Sequence, residues 1–577
     1  MHATTFGKDP FAAIKNDNSN RIRLRQHFWV FLCLMTLMLA HNSFIDYGNQ
    51  MGHDEWGIFR AVSEGSLTYY NDRPLHLLSP FVGFVLFGPH RILNHALLLL
   101  VKFGNAFLLY LLVQRFFSRK PLFGFICAGL YSTYIVDDHF MLLGLTEPGI
   151  HLSSVFFALA ALYLFLRYMS HRRIFVLLLG LFSATISILM YEMTTPVLLV
   201  IPVLLYALDK DRSPSATLGI VSWLIVVGLA SAHFVAPILG LGPEVWTSRQ
   251  YEGIDVTRII SGTYIQLRHA FQPLLYARAE RIVESPLPAV IAGGLFAISA
   301  IFLGKRLPNA SEDVRMLFWK YLYWLGIGAV VTWLGFAPLL VIYRAGEPHF
   351  GAHLLSGIGE AIMFSAIIWL ATLLVKHQRA RVISRIVLAS LVAVMGTVQA
   401  AETQRTIQSW GATWDTQAVF LRSISNQFPS LKENSLIVYA EDPTLSALPF
   451  VMTWAFPNAV SYIYNDQTAG LMPVRDAAWD LSADGVRVEE TGPFHGWDEI
   501  VAVIKDWSGR AISLDTLPPE VFVDWRTGEL NQDLLSTKAN NYDPYARVNK
   551  EFVHLQVQEL FPPLQFATLP LQWRSPK

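Results

Sequence analysis

HFWVFLCLMTLMLAHNSFI, residues 27–45, holds no acidic or basic side chain other than its two histidines, and Arg21, Arg23 and Arg25 stand just before it. A hydrocarbon layer of about 30 Å is crossed by about 20 apolar residues in a helix, so this stretch can span one. No small-x-small cleavage site follows its apolar run, Phe28–Ala40, and it reads as a retained span rather than a cleaved signal. The chain that follows is built the same way. Of its 577 residues, 53% are hydrophobic and 15% charged, with a mean hydropathy of +0.38. Soluble domains carry about 25% charged residues. Composition therefore places the chain among polytopic membrane proteins.

Further apolar stretches fall at 91–114, 121–136, 150–167, 174–191, 194–208, 216–238, 287–304, 318–342, 356–375 and 384–400, giving about eleven spans with the first. Leu75–Gly88 is apolar but short and contains Pro80, which suits an interfacial or re-entrant helix. The loops test this count. With the N-terminus inside, the inside loops carry Arg115, Arg119 and Lys120; Arg167, Arg172 and Arg173; Lys210 and Arg212; Lys305, Arg306 and Arg315; and Lys376, Arg379 and Arg381. Each is basic, as the positive-inside rule requires. A full span at Leu75–Gly88 would reverse every later loop.

The expected architecture is a polar leader at 1–26 and an all-α transmembrane domain at 27–400. A tail at 401–577 then lies outside, periplasmic or extracellular, on a chain set in the inner (plasma) membrane. The net charge of zero divides into +9 over residues 1–400 and −9 over 401–577. That balance gives no reason to expect nucleic acid. The tail shows strand-like runs at Ser435–Tyr439, Glu499–Ile504 and Val521–Trp525 with Pro and Gly between them, a mixed α/β pattern. No internal repeat is visible, which disfavours an inverted-repeat transporter. Cys33 and Cys127 both lie in apolar runs, so no disulfide framework, redox pair or thiolate metal site is indicated. A Gly-rich phosphate loop, a His-Glu-x-x-His helix and a Ser-His-Asp signature are also missing.

Ionisable residues gather at the outer ends of the spans. The first outer loop holds His53-Asp54-Glu55-Trp56 and Asn71-Asp72-Arg73-Pro74, followed by His76. Asp137-Asp138-His139 comes at the next outer end, Tyr191-Glu192 at another, and Arg344, Glu347, His349 and His353 around the last small loop. An isolated Asp-Glu pair is ordinarily two solvated charges. Beside a membrane, two apposed carboxylates repel and lose hydration, so a reacting hydroxyl, a cation or a phosphate would repay them. The long outer loop at 239–286 adds Arg249, Arg258, Arg268, His269, Arg278 and Arg281 with several aromatics. These could contact phosphate and sugar, or belong to a helix lying on lipid headgroups. Lys102 and Asn105 fall inside the second span and receive no role. A carboxylate can take a proton from an acceptor hydroxyl while guanidinium groups hold a departing phosphate.

An Asp-Glu pair after the first span, Arg73-Pro74-Leu75 before a helix, His90–His95 opening the next one, Tyr191-Glu192, and Tyr343-Arg344 with Pro348 together resemble the GT-C class of membrane glycosyltransferases. That class includes the protein O-mannosyltransferases and bacterial relatives of the dolichyl-phosphate-mannose type. The likeness extends over about residues 27–400, and the tail matches no known pattern. It implies a sugar donor on a polyprenyl phosphate, transfer to an acceptor on the outer face, and inversion at the anomeric carbon. Carried onto this chain, Asp54 is the base, Glu55 assists it, and Asp138 is a further carboxylate. Arg73, His53, Glu192, Arg344 and His349 are expected around the phosphate and sugar. Histidines beside both acidic groups leave room for a divalent cation, magnesium or manganese, which the class does not require. The competing reading is a non-catalytic transport or polysaccharide-export component.

Overall fold

The computed structural model describes residues 17–42, 55–68, 73–88, 90–116, 121–133, 147–208, 213–238, 256–271, 286–304, 314–338, 340, 353–409 and short stretches between 417 and 512. In chain order the first helices are α1 (Asp17–Asn42), α2 (Glu55–Ser63), α3 (Leu78–Phe87), α4 (Arg91–Phe116) and α5 (Pro121–Thr133). Next come α6 (Glu147–His171), α7 (Ile174–Met190), a 3-10 turn at Glu192–Thr194, α8 (Thr195–Leu208), α9 (Pro214–Ile238) and α10 (Val256–Ala270). The bundle continues with α11 (Pro286–Gly304), α12 (Val314–Phe336), α13 (His353–Thr372) and α14 (Gln378–Ser409). In the tail, α15 (Ala455–Ile463) lies among seven short strands in the described residues.

A helix covers most of each of the eleven apolar stretches. Among the described residues, six helices are long and apolar enough to cross a membrane: Ile92–Arg115, Gly149–His171, Pro214–Ala232, Leu317–Phe336, Leu355–Thr372 and Gln378–Ala401. Shorter apolar helices join them, among them Pro121–Thr133, Ile174–Met190 and Leu78–Phe87. α1 begins eleven residues before the apolar run, because the intervening arginines are good helix formers and let the helix propagate. Helices are the only open-ended way to satisfy backbone groups in lipid. Buried hydroxyls obey the same constraint: Ser132, Thr133, Ser231, Ser365 and Thr397 each donate back to the carbonyl four residues earlier.

Small residues set the tightest helix pair, α12 against α13. A Cβ on Gly335 would stand 2.6 Å from the Ser356 backbone nitrogen, and one on Gly328 would stand 2.8 Å from the Gly359 carbonyl. Thr332 faces the same surface, so Gly328, Thr332 and Gly335 follow each other at helical spacing and let the two backbones touch. Around the same helices Phe123 meets Trp324 and Trp369 edge to face and Tyr321 at a tilt, with centroids 5.0 to 6.3 Å from its own.

The two ends of the bundle differ. At one end Arg115 donates to Ser170, Arg381 donates twice to the Val375 carbonyl (3.0 and 2.9 Å), and Arg385 donates to Thr372 at 3.0 Å over the Trp369 ring. These cations cap helix ends locally. Arg172 takes a positive φ of 54° where α6 turns into α7, and its N–H donates to the Tyr168 carbonyl. The opposite end carries α2, α3, α10 and the helix ends around Glu192. There α2 stops in a Schellman turn: Gly65, at φ 82°, donates to the Val62 carbonyl and Ser66 to that of Ala61.

In the tail, β1 (Ser435–Tyr439) pairs in parallel with β2 (Thr468–Leu471) and β6 (Glu499–Ile504), and β7 (Ala511–Ile512) closes the order β2-β1-β6-β7. Parallel neighbours need a crossover, and α15 lies in the one between β1 and β2. A second, antiparallel sheet joins β3 (Trp479–Ser482), β4 (Gly485–Val488) and β5 (Gly492–Pro493). The expected strands at Ser435–Tyr439 and Glu499–Ile504 are β1 and β6, whereas Val521–Trp525 lies outside the described residues.

Candidate functional site

Two segments from distant parts of the chain meet at the end of the bundle opposite the basic loops. Arg73 lies just before α3, and Glu192 opens the 3-10 turn between α7 and α8. Arg73 Nε donates to Glu192 Oε2 at 2.7 Å and Nη2 donates to Oε1 at 2.6 Å. Both side chains are buried. This is the paired fork geometry in which guanidinium and carboxylate fit best. The Arg73 guanidinium also lies 4.8 Å over the Tyr191 ring, and His151 makes a T-shaped contact with that ring at 4.1 Å.

Backbone contacts hold the segment before α3 in register. Leu75 N–H donates to the Leu189 carbonyl at 3.1 Å, and the His76 ring Nδ1 donates to the Met190 carbonyl at 3.2 Å. The last turn of α7 has spare carbonyls, as every helix end does, and this segment uses two of them. Hydroxyls fix the turn itself: Ser187 donates to Thr194 at 2.8 Å, and Thr194 Oγ1 lies 3.2 Å from the Tyr191 carbonyl.

The first loop packs against the same cluster. Ile58 and Val62 of α2 form one core with Leu77 and Ile150, the neighbours in sequence of His76 and His151. Glu55 is buried in the first turn of α2, where an acid complements the helix dipole. Thr68 donates to the Arg73 carbonyl at 3.2 Å and closes the loop onto the segment before α3. On the tail side, Tyr462 of α15 sits edge-on to Phe59 at 5.5 Å and 6.4 Å from Trp56. Glu55, Arg73, His76, His151, Tyr191 and Glu192 thus belong to one continuous piece of structure.

Of the residues expected at the site, Arg73 and Glu192 are brought together and Glu55 is packed nearby. His53, Asp54, Asp138, Arg344 and His349 lie outside the described residues. Arg73 was expected to face phosphate; here two of its nitrogens bind Glu192, so its fork is occupied by a carboxylate. Among the described residues no three His, Cys, Asp or Glu side chains stand close enough to hold a metal ion. They therefore offer no ligand set for the divalent cation considered above.

Sequence reading passed over His151, buried in the second turn of α6, and Glu360, which is buried in α13 and accepts from Ser356 at 3.2 Å. An ionisable residue inside a span was the available signal for Glu360. Lys102 and Asn105 are buried in α4, and Asn105 donates to the Leu152 carbonyl at 2.9 Å.

No protein-family model matches the chain, and no curated protein matches it. Among solved structures, the ArnT of Cupriavidus metallidurans in its apo state is similar at 12% identity and a TM-score of 0.35, over 78% of this chain and 86% of that one. So loose an overlap brings no residue or activity of that protein onto this chain.

Proposed function

We propose that the chain is a membrane glycosyltransferase of the GT-C kind, moving a sugar from a polyprenyl-phosphate donor to an acceptor on the outer face. One observation carries the reading. Arg73-Pro74-Leu75 and Tyr191-Glu192 were singled out separately in the sequence, and their charged members form a buried, two-pronged ion pair across 119 residues. Burying two charges costs several kcal/mol per ion before their attraction offsets it. Such a pair is therefore a weak way to gain stability and a good way to fix charges in place.

In this reading the chain crosses the membrane eleven times, with the N-terminus inside and residues 401–577 outside. The acceptor hydroxyl oxygen attacks the anomeric carbon. The bond from that carbon to the phosphate oxygen breaks on the opposite face, which inverts the centre. Asp54 takes the hydroxyl proton, Glu55 orients the acceptor, and Asp138 supports it. The departing polyprenyl phosphate keeps the electron pair, and Arg344, His349 and His53 stabilise its charge. Arg73, held by Glu192 and Tyr191, supplies the rigidity of the first loop.

Transfer of radiolabelled sugar from a polyprenyl-phosphate donor in membranes tests this. Asp54→Asn should abolish transfer with the protein still inserted; full activity in that variant overturns the base assignment. Orientation has its own measurement: a periplasmic reporter fused after Lys577 should be active and a cytoplasmic one silent.

The transport reading keeps one observation in its favour. Lys102 and Glu360 are buried inside apolar helices, and transporters place polar groups near the membrane midplane. No transfer with any lipid-linked donor would favour it.

A further inference from the structure

The helix α10 has three different faces. Val256, Ile260 and Tyr264 follow each other at four-residue spacing and are 68%, 66% and 65% exposed. Residues four apart lie on one side of a helix. A second side, with Ile259, Gly262 and Gln266, turns toward the bundle: Ile259 packs with Leu267 against Tyr191, Phe336 and Leu340, and Gln266 is buried. The third side carries Thr257, Ser261 and Arg268, all exposed. A helix standing in water has no use for the first face, and a helix buried in protein would not expose it.

The neighbours of that face say what covers it. Trp333 of α12 donates its indole N–H to Thr263 at 3.3 Å, and Trp333 and Val330 are themselves exposed on the side of a membrane-crossing helix. The stripe on α10 is therefore continuous with the apolar belt of α12. Trp and Tyr, apolar with one polar tip, are the residues that settle at the boundary between lipid and water. Just after Arg73 in the chain, α3 also exposes apolar side chains, Val82, Val85 and Leu86.

We propose that α10 is a membrane-interface helix. Val256, Ile260 and Tyr264 enter the lipid, and Thr257, Ser261 and Arg268 face the headgroups and water. Ile259 and Leu267 pack on the cluster of Tyr191, Met193, Phe336 and Leu340, and the Tyr191 ring underlies Arg73, so through this cluster the helix also fixes the depth of the ion pair at the headgroup level. The inference rests on the membrane reading of the chain and not on sugar transfer.

A nitroxide label reads this directly. In a chain whose Cys33 and Cys127 are replaced by alanine, Ile260→Cys and Ser261→Cys are labelled singly and placed in bilayers of phosphatidylethanolamine and phosphatidylglycerol. Collisions with oxygen report lipid, and collisions with a water-soluble nickel chelate report water. The label at 260 should favour oxygen over nickel severalfold more than the label at 261. Equal nickel access at both positions overturns the proposal, since the stripe then stands in water. Shielding of 260 from both reagents also overturns it, since another part of the chain then covers the stripe. Val256→Cys gives the same reading if Ile260→Cys fails to insert.

Discussion

Two Arg–Glu pairs lie at the same end of the molecule and differ in every physical respect. Arg60, in the last turn of α2, and Glu64, just past its end, are one helical turn apart and joined by a contact of 3.2 Å in the open. Arg73 and Glu192 are 119 residues apart, joined by two contacts, buried, and stacked on an aromatic ring. The first pair follows from local spacing, sits in water, and is worth about 0.3–0.5 kcal/mol as a helical i,i+4 contact. The second exists only because the fold brings α3 to the end of α7, and it loses much hydration in forming. Its energetics are those of a buried pair: little net stability as a whole, yet a severe cost if one half is removed.

The largest expected effect follows from breaking the buried pair on one side. Glu192→Ala leaves a guanidinium buried without its carboxylate and should cost about 3–5 kcal/mol, seen as a lower melting temperature in detergent. Arg73→Lys keeps the charge but loses the fork and the stacking on Tyr191. It should cost about 1.5–3 kcal/mol, one charge-assisted hydrogen bond. Replacing both partners at once, Arg73→Met with Glu192→Leu, should return stability to within about 1 kcal/mol of the wild type or above it. The smallest effect is reserved for the exposed pair: Arg60→Ala should change stability by less than about 0.5 kcal/mol. An equal loss from Arg60→Ala and Glu192→Ala would erase the distinction.

Much of the helical bundle could be read in the sequence, because a span must be long, apolar and nearly uncharged, and such runs announce themselves. Helix α1 starting at Asp17 was not, since arginines extend a helix without being apolar. Two of the three strand-like runs in the tail were legible as β-branched and apolar stretches between turn residues. The site was legible only as residue types. Arg73 and Glu192 stood out from their neighbours, but nothing in the chain said that they bind each other, because motif spacing is local and their contact is not. His151 could not be distinguished from an ordinary core histidine until Tyr191 was found beside it. The docking of Tyr462 on α2 joins the tail to the first loop through aromatic contacts that no linear pattern encodes.

The double variant Arg73→Met with Glu192→Leu tests the central claim most directly, because it separates a pair kept for stability from a pair kept for work. The measurement is radiolabelled sugar transfer from a polyprenyl-phosphate donor, made on membranes in which that variant melts at the wild-type temperature. If the pair fixes the first loop for catalysis, transfer should fall by about a hundredfold, the cost of misplacing reacting groups by about 1 Å, while Arg60→Ala stays fully active. A stable double variant that transfers sugar at the wild-type rate contradicts the account.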